Sequence, residues 1–237
     1  VLNDVKALRE ALGDHPALVV VDAVSSMGAV DLKTDEWGLD VVVTGAQKAL
    51  MLPPGLGIVS VSDKAWEATE VSQNPKFYWD FKKAKNSLNK WQTPYTPAVS
   101  LIYALKETLK IFEEEGLSNV YKRHLVLSRA LREGLKALGL KLFVEETCAS
   151  PTVTSVDISE NSQLQDLQKA LQEKFNVTIT GGQQTLKNKI IRIGHLGYVD
   201  KLDIINVLAA IEMVINDEKL LGVGVKAAQR IFVKGNR

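Results

Sequence analysis

An acid and an amine each follow a short apolar run in the first fifty residues of the chain. Asp22 comes directly after the run that ends at Val21, and Lys48 lies four residues beyond Thr44, where a second β-branched run ends. Such runs are typical of strands that are covered on both faces in a parallel sheet. Because ligands collect at the carboxyl ends of the strands in an open α/β sheet, the spacing predicts that this carboxylate and this amine share one sheet edge.

A carboxylate and a lysine in one pocket suit several chemistries, of which catalysis with pyridoxal 5'-phosphate (PLP) is one. There the lysine amine forms a Schiff base with the cofactor aldehyde, and the acid keeps the pyridine nitrogen protonated so that the ring accepts electrons. Taken singly, Asp22 fits a turn residue and Lys48 a surface lysine. The neighbours of Lys48 favour the chemical interpretation, because they are small or apolar and leave the amine hard to solvate: Gly45, Ala46, Ala49, Leu50, Met51, Leu52, Pro53 and Pro54.

The first hundred residues alternate between helix and strand signals, which is the rhythm of an α/β sheet. The patterns predict helices at 5–12 and near 34–37, and strands at 17–21, 41–44 and 57–61. Residues 70–97 are rich in asparagine, proline and aromatic residues, and they predict a long irregular connection. The patterns in this half of the chain therefore predict part of a layered α/β domain.

The pattern becomes α+β in the second half, and we place a domain boundary near Gly116. We expect residues 1–116 to form one domain and residues 117–237 a second, smaller one. The predicted elements are helices at 98–115, 120–138, 164–175 and 201–216, and strands near 141–145, 152–157, 177–180 and 190–193. The tail 226–237 is apolar and basic and receives no assignment.

The segment Val21-Asp22-Ala23-Val24-Ser25-Ser26, together with residues 44–55, resembles the class V aminotransferases. The nearest branch is that of the alanine/serine–glyoxylate aminotransferases, which includes proteins labelled as a soluble hydrogenase small subunit. The resemblance covers nearly the whole chain. It implies the α/β PLP-transferase fold type I, with the C-terminal part of the large, mainly parallel-sheet domain in 1–116 and a small α+β domain in 117–237.

The resemblance also implies roles for residues of the sheet edge. Lys48 matches the Schiff-base lysine, and Asp22 matches the partner of the pyridine nitrogen. Val24 matches the apolar residue that packs on one face of the ring. Gln47 matches a residue near the phosphate or the ring oxygen, although a satisfied polar turn residue explains it equally well.

Two later segments complete the implied site. Thr96 matches a residue that binds the cofactor phosphate of a neighbouring subunit, and Thr93 stands where relatives carry a tyrosine or threonine; capping of proline-adjacent turns is the alternative for both. This implies a homodimer with shared active sites. Arg192 matches the arginine that clamps the substrate carboxylate, and a guanidinium at a strand end suits a bidentate grip. A surface ion pair is its alternative, and for His195 we expect a structural role.

Composition excludes other classes of protein. The formal net charge of +1 provides no field for nucleic acid or an anionic membrane, and no apolar run approaches the roughly 18 residues that span a bilayer. The single cysteine, Cys148, precludes an intrachain disulfide and suits a reducing compartment. We therefore expect a cytoplasmic protein without a metal site.

The chain begins at Val1 rather than at a methionine, and we expect residues to be missing before it. In the family, the glycine-containing phosphate loop and the aromatic residue that stacks on the ring precede this point. We therefore expect the chain alone to bind PLP poorly and to be inactive.

The implied function is transfer of an amino group from a small amino acid, alanine or serine, to a 2-oxo acid, glyoxylate or pyruvate. Two alternatives stay open. One is another class V PLP enzyme, such as a lyase or a desulfurase, although a desulfurase needs a mobile nucleophilic cysteine and Cys148 has no basic neighbour. The other is a non-catalytic hydrogenase-associated subunit, which would need none of Lys48, Asp22 and Arg192.

Overall fold

The computed structural model describes residues 1–160 and 164–235, and the chain divides into two units. The first, which we call the sheet unit, comprises Asp4–Met27 and Leu32–Glu114. The second, the carboxy-terminal unit, comprises Val1–Asn3, Gly28–Asp31 and the chain from Glu115 onward. Asp22 and Lys48 therefore belong to the sheet unit, and Arg192 belongs to the carboxy-terminal unit.

The sheet unit contains a three-stranded sheet with strand order β1-β2-β3. Strands β1 and β2 run parallel, and β3 returns antiparallel to β2. A small apolar core packs against the sheet, and its buried residues include Val19, Ala23 and Val42. The elements, in chain order, are α1 (Val5–Leu12), β1 (Val20–Asp22), β2 (Val41–Gly45), β3 (Gly57–Val61), α2 (Asp63–Val71), α3 (Phe81–Leu88) and α4 (Val99–Glu115).

The carboxy-terminal unit contains a second three-stranded sheet, with order β4-β6-β5 and antiparallel pairing throughout. Short 3-10 turns occupy Glu146–Cys148 and Gln184–Leu186. The main elements are α5 (Leu117–Ala137), β4 (Val153–Asp157), α6 (Leu167–Phe175), β5 (Thr180–Gly181), β6 (Ile190–Gly194), α7 (Lys201–Ile215) and α8 (Val223–Lys234).

Two glycines let α5 and α8 approach closely within this unit. A Cβ atom on Gly134 would lie 2.5 Å from Cδ1 of Leu208 and 3.0 Å from the carbonyl oxygen of Gly224. A Cβ atom on Gly224 would lie 3.0 Å from the carbonyl oxygen of Gly134. Both helices therefore present bare backbone to each other. The core around this crossing is apolar and includes Leu131, Leu135, Leu171, Ile191 and Ile211.

The first half of the chain departs from the sequence-based prediction in four places, one of which is helix α2, which the sequence analysis did not predict. The strand predicted at 17–21 forms later, as β1, and lies at the sheet edge, where Val20 is 63% exposed rather than covered. Residues 34–37 form a turn instead of a helix. The supposedly irregular stretch 70–97 contains α3, whose first N–H groups, on Lys82 and Lys83, are capped by the side chain of Asp80.

The second half departs mainly at its short strands. Residues 141–145 form one isolated bridge, Leu142 to Val156, rather than a strand. The Phe143 N–H bonds to the Ser155 carbonyl at 2.9 Å, but the chain then turns into the 3-10 segment at Glu146–Cys148, so no longer ladder forms. The strand expected at 177–180 is the two-residue β5. The unassigned tail is largely α8, and in the described part of the chain no helix is long and apolar enough to cross a membrane.

A buried carboxylate organises the start of α8. Glu212, on α7, is only 3% exposed. Its carboxylate accepts hydrogen bonds from the N–H groups of Gly222 at 2.7 Å, Gly224 at 2.8 Å and Val225 at 3.0 Å. These N–H groups have no partner inside the helix, and the helix dipole favours a negative charge at this position. Glu212 therefore compensates its own burial by capping α8.

We predict that Glu212→Ala lowers the free energy of unfolding by about 3 kcal/mol, because three helix-terminal N–H groups lose a charged acceptor in a site that excludes water. Urea-induced unfolding followed by circular dichroism measures the change. The matched control is Glu218→Ala, which removes an exposed carboxylate beyond the end of α7. Equal transition midpoints for the two variants would contradict the capping role.

Two buried histidines lie in the same unit. His195 is fully buried and shares a hydrogen bond of 2.8 Å between its Nε2 and Oγ1 of Thr154. Burial, followed by the positive charge of Arg132, lowers the pKa of His195 to about 4. Burial also lowers the pKa of His124, on α5, more than the hydrogen bond from its ring to the Val120 carbonyl raises it. Burial therefore favours the neutral form of both rings in the folded protein.

We predict that acidification destabilises the protein through His195. The folded ring stays neutral down to about pH 4, whereas an unfolded chain binds a proton near pH 6.5, so the unfolded state gains protons as the pH falls between these values. The associated loss is about 3 kcal/mol for this group alone. Urea titrations at pH 7.0 and pH 4.5 should therefore show a smaller loss of stability for His195→Gln than for the parent. An equal loss in both proteins would refute this assignment.

Candidate active site

Asp22 ends β1 and presents its carboxylate at the carboxyl edge of the parallel pair. It stands opposite Val43 of β2, and the N–H of Ala23 bonds to the Val43 carbonyl at 2.9 Å, which extends the ladder by one residue. Its Oδ1 accepts the N–H of Val24 at 2.9 Å. The side chain is exposed, and Oδ2 has no partner among the residues that the structure describes. One carboxylate oxygen is therefore fixed and the other is available.

Lys48 lies in the loop that joins β2 to β3, three residues past the end of β2. Its carbonyl accepts the N–H of Met51 at 3.0 Å, and Met51 takes the left-handed conformation with φ of 63°. The loop is closed by a bond of 3.1 Å from the Leu52 N–H to the Ala46 carbonyl. Buried apolar side chains anchor it: Ala46, Ala49, Leu50 and Leu52.

Lys48 is half-buried, and its amine has no hydrogen-bond or ion-pair partner within residues 1–160 and 164–235. Since β1 and β2 run parallel, their carboxyl ends point the same way, and Lys48 and Asp22 emerge at the same edge of the sheet. The structure thus brings the predicted acid and the predicted amine to one edge, each with an unused polar atom.

Val24 and Gln47 flank this pair. Val24 is half-buried in the turn that follows β1. Gln47 is exposed, and its side chain folds back over Gly45, so that a Cβ atom on Gly45 would lie 2.6 Å from Oε1 of Gln47. A side chain at position 45 would displace the amide. Both residues therefore lie at the predicted edge, and their roles toward a cofactor stay predictions.

Asp40 is a buried residue of the sheet unit that the sequence analysis did not identify. Its carboxylate accepts the N–H of Val19 at 2.8 Å and the hydroxyl of Ser62 at 3.0 Å, and the amine of Lys64 lies 3.6 Å away. Burial alone would raise the pKa of Asp40, but the bonds from Val19 and Ser62 and the Lys64 charge lower it below its usual value. The only sequence signal is an acid directly before a β-branched run.

Asp40 acts at the end of the parallel pair opposite to the candidate site. It ties the start of β1 to the start of β2 through Val19, and it ties both to the N-cap of α2 through Ser62. A carboxylate is needed there because backbone and hydroxyl donors converge on it from separate segments. Asp40 therefore fixes the starts of β1, which ends at Asp22, and of β2, which leads into the loop of Lys48.

Thr93 and Thr96 lie elsewhere in the sheet unit. Both are exposed, and the hydroxyl of Thr93 donates to the Tyr95 carbonyl at 2.5 Å, which agrees with a turn-capping role. The ring of Tyr95 stacks on Tyr78 with a centroid distance of 4.5 Å. The two threonines line a groove of about 550 Å³, together with Trp66, Tyr78, Phe81, Tyr95 and Pro97. Neither Asp22 nor Lys48 lines this groove.

Arg192 lies on β6 in the carboxy-terminal unit, paired with Ser155 of β4 and Thr180 of β5. It is half-buried, and its Nε donates to the Gly181 carbonyl at 2.9 Å. In the described residues, neither Nη atom has a hydrogen-bond or ion-pair partner, so the alternative of a surface ion pair has no partner there, and the carboxylate-binding role of Arg192 stays a prediction. The guanidinium is therefore fixed on one side and offers two parallel N–H donors on the other.

The available groups match the chemical needs of PLP. A carboxylate with a free oxygen suits a protonated pyridine nitrogen, and an unpartnered primary amine suits an aldehyde. A guanidinium with two free Nη atoms suits a carboxylate. By contrast, the described residues contain no group of three or more histidine, cysteine, aspartate or glutamate side chains that could hold a metal ion.

Known proteins resemble this chain over nearly its whole length. Residues 1–206 match the model of the family described as aminotransferase class-V. The chain is 43% identical to "Soluble hydrogenase, small subunit" of Synechococcus sp. (strain PCC 6716), with 98% of this chain and 62% of that protein aligned. It is 40% identical to the serine–glyoxylate aminotransferase of Arabidopsis thaliana, over 96% of this chain and 59% of the relative.

The fold agrees with these matches. The crystal structure of ureidoglycine–glyoxylate aminotransferase from Bacillus subtilis superposes with a TM-score of 0.90 at 31% identity, over 98% of this chain and 62% of that one. The chain thus spans about three-fifths of the length of the relatives it matches. Both the family model and the superposition extend across the acid, the amine and the guanidinium described above, and the chain belongs to the class V aminotransferase family.

Proposed function

We propose that the protein is a PLP-dependent aminotransferase that moves an amino group from a small amino acid, alanine or serine, to a 2-oxo acid, glyoxylate or pyruvate. The observation that carries the proposal is the shared sheet edge of Asp22 and Lys48, each with an unpartnered polar atom, in a chain of this family. Because the chain spans about three-fifths of the length of its relatives, the activity of the whole protein is part of this proposal.

PLP, when bound, supplies an aldehyde that condenses with amines and a protonated ring that withdraws electrons from the substrate α-carbon. Lys48 would hold its aldehyde carbon and Asp22 its pyridine nitrogen. Val24 would pack on the ring, and Gln47 would lie near the phosphate or the ring oxygen. Thr96, with Thr93 beside it, would reach the phosphate in a neighbouring subunit, which makes a homodimer part of the proposal.

Lys48, Asp22 and Arg192 have separate roles in the proposed reaction. Lys48, once its amine is free, takes the proton from the substrate α-carbon and returns one to the acceptor as a general base and acid. Asp22 would stabilise the positive charge of the protonated pyridine nitrogen. Arg192 binds the α-carboxylate through its two Nη atoms and so fixes which α-carbon bond faces the base.

The names of the relatives support the choice of acceptor. The relatives from Arabidopsis thaliana and Bacillus subtilis are named for serine and for ureidoglycine as donors, and both are named for glyoxylate as acceptor. Donors thus vary among similar proteins while the acceptor recurs. We therefore propose glyoxylate as the first acceptor to test.

The alternatives receive less support. The thiol of Cys148 lies in a 3-10 turn and donates to the Glu145 carbonyl at 3.6 Å, so it does not resemble the mobile nucleophile of a desulfurase. The relative labelled as a hydrogenase subunit shares 43% identity with this chain, and a binding subunit would require no unpartnered lysine beside an acid.

We predict that Lys48→Ala abolishes turnover, because the variant lacks the amine that is proposed to form the Schiff base and to transfer the proton. A loss of at least about 1,000-fold in kcat is expected for a group that acts as both nucleophile and base. In the parent, borohydride should fix the cofactor on the peptide that contains residue 48, detected as a mass shift. Lys106→Ala, which removes an exposed lysine of α4, serves as the control. Parent-like turnover by Lys48→Ala would end the proposal.

We predict that Arg192→Lys raises KM for both the amino donor and glyoxylate by about 100-fold, since both carry the carboxylate and a lysine cannot reproduce a bidentate grip. Steady-state kinetics with each substrate varied in turn measures the change. Arg230→Gln, which removes an exposed arginine of α8, is the control. An unchanged KM for both substrates would remove Arg192 from the site.

A further inference from the structure

Two adjacent side chains of α5 hold the segment that follows β6. Nη1 of Arg123 donates to the carbonyl of Gly197 at 3.0 Å and to that of Val199 at 3.2 Å. Nε2 of His124 accepts the N–H of Gly197 at 3.2 Å. The peptide groups on both sides of the Gly197 Cα are therefore bound by α5. We call Arg123 and His124 the Gly197 clamp.

Other residues orient the clamp itself. Nε and Nη2 of Arg123 bind the carboxylate of Glu115 at 2.7 Å and 3.0 Å, a bidentate pair that leaves Nη1 for the backbone. The other ring nitrogen of His124, Nδ1, donates to the Val120 carbonyl at 2.8 Å, which sets Nε2 as the acceptor. Since His124 is fully buried, water cannot replace these bonds.

The held segment requires this support. Gly197 has φ of 81°, a left-handed conformation that suits glycine and resists a side chain. Tyr198 follows directly and is 85% exposed, so its own side chain gives the backbone little packing. Hydrogen bonds from α5, together with the packing of Val199 against the core, therefore define the path of residues 197–199.

This segment begins three residues after the strand that carries Arg192. Between them, the N–H of His195 donates to the carbonyl of Thr152, directly before β4, at 3.0 Å, and its ring bonds to Oγ1 of Thr154 on β4 at 2.8 Å. The end of β6 is thus anchored on one side by β4 and further along by the clamp. Among the residues that the structure describes, the guanidinium of Arg192 is anchored through Nε alone, to the Gly181 carbonyl.

We propose that Arg123 and His124 are positioning residues for carboxylate binding: by fixing the exit of β6 they hold the Arg192 guanidinium where both Nη atoms meet the substrate carboxylate. The inference rests on the proposed role of Arg192. It adds a function for the Glu115–Arg123–His124 arrangement, none of whose members is expected to touch the substrate. A shift of the β6 backbone would break one of the two parallel bonds and leave the other bent.

The experiment uses the whole polypeptide with its cofactor and two readouts. One is the pair kcat and KM for the amino donor and glyoxylate. The other is the inhibition constant of glycolate, a carboxylate that has no amino or oxo group to react. The variants are His124→Leu, His124→Gln and Lys122→Ala, the last being an exposed neighbour on α5. His124→Leu and Arg192→Gln are also combined in a double-mutant cycle.

We expect His124→Leu to raise both KM values and the glycolate inhibition constant by about tenfold, with a smaller change in kcat, because the lost interaction concerns carboxylate binding. His124→Gln should recover most of the affinity, since its Oε1 can accept the Gly197 N–H. Lys122→Ala should match the parent. In the Arg192→Gln background, His124→Leu should add little, because the clamp acts through Arg192.

Each contrary result has a defined meaning. If Arg192→Gln leaves glycolate inhibition unchanged, the proposed carboxylate role of Arg192 fails and this inference fails with it. If Arg192→Gln weakens glycolate binding but His124→Leu does not, the clamp inference alone is overturned. An equal effect of His124→Leu with and without Arg192 overturns it too. Should His124→Leu not fold, Arg123→Lys keeps the charge beside Glu115, loses the grip on two carbonyls, and is expected to give the same tenfold effect.

Discussion

Parallel hydrogen bonding between β1 and β2 is the contact on which the candidate site depends. Three residue pairs join the strands, and the last of them contains Asp22. Because side chains alternate along a strand, a slip of one residue would turn the carboxylate to the opposite face of the sheet. Asp40 opposes this slip at the opposite end of the two strands, because its carboxylate accepts the N–H of Val19 just before β1 begins. The buried carboxylate of Asp40 thus helps to fix the register of a ladder of three residue pairs.

Sequence patterns predicted those elements whose apolar residues repeat clearly. Strand β3 and helices α4 and α7 begin and end within a residue of their predicted bounds, and the acid and amine were found because each follows an apolar run. Helix α3 escaped prediction because three polar or charged residues follow its first turn and its cap, Asp80, is embedded among aromatic residues. The bridge at Leu142 fell short of a strand because a backbone turn, not side-chain pattern, ends it.

The Gly197 clamp is a feature that a single sequence does not predict. His124 and Gly197 are 73 residues apart, and their bond joins a ring nitrogen to a backbone N–H. No spacing rule connects such groups, since the backbone partner carries no side-chain signature. The same holds for Glu212, whose three partners are all backbone N–H groups. In both cases a buried polar side chain serves the main chain, which keeps the cost of its burial low.

Because of the glycine pair at their crossing, α5 and α8 can be exchanged between related proteins only together. A side chain at position 224 would strike the backbone of α5, and one at position 134 would strike both α8 and Leu208. Exchange of α8 with the corresponding helix of a protein that carries a larger residue at this position would therefore fail unless α5 came with it. In chimeras built from this chain, the junction should therefore lie before residue 117 rather than between α5 and α8.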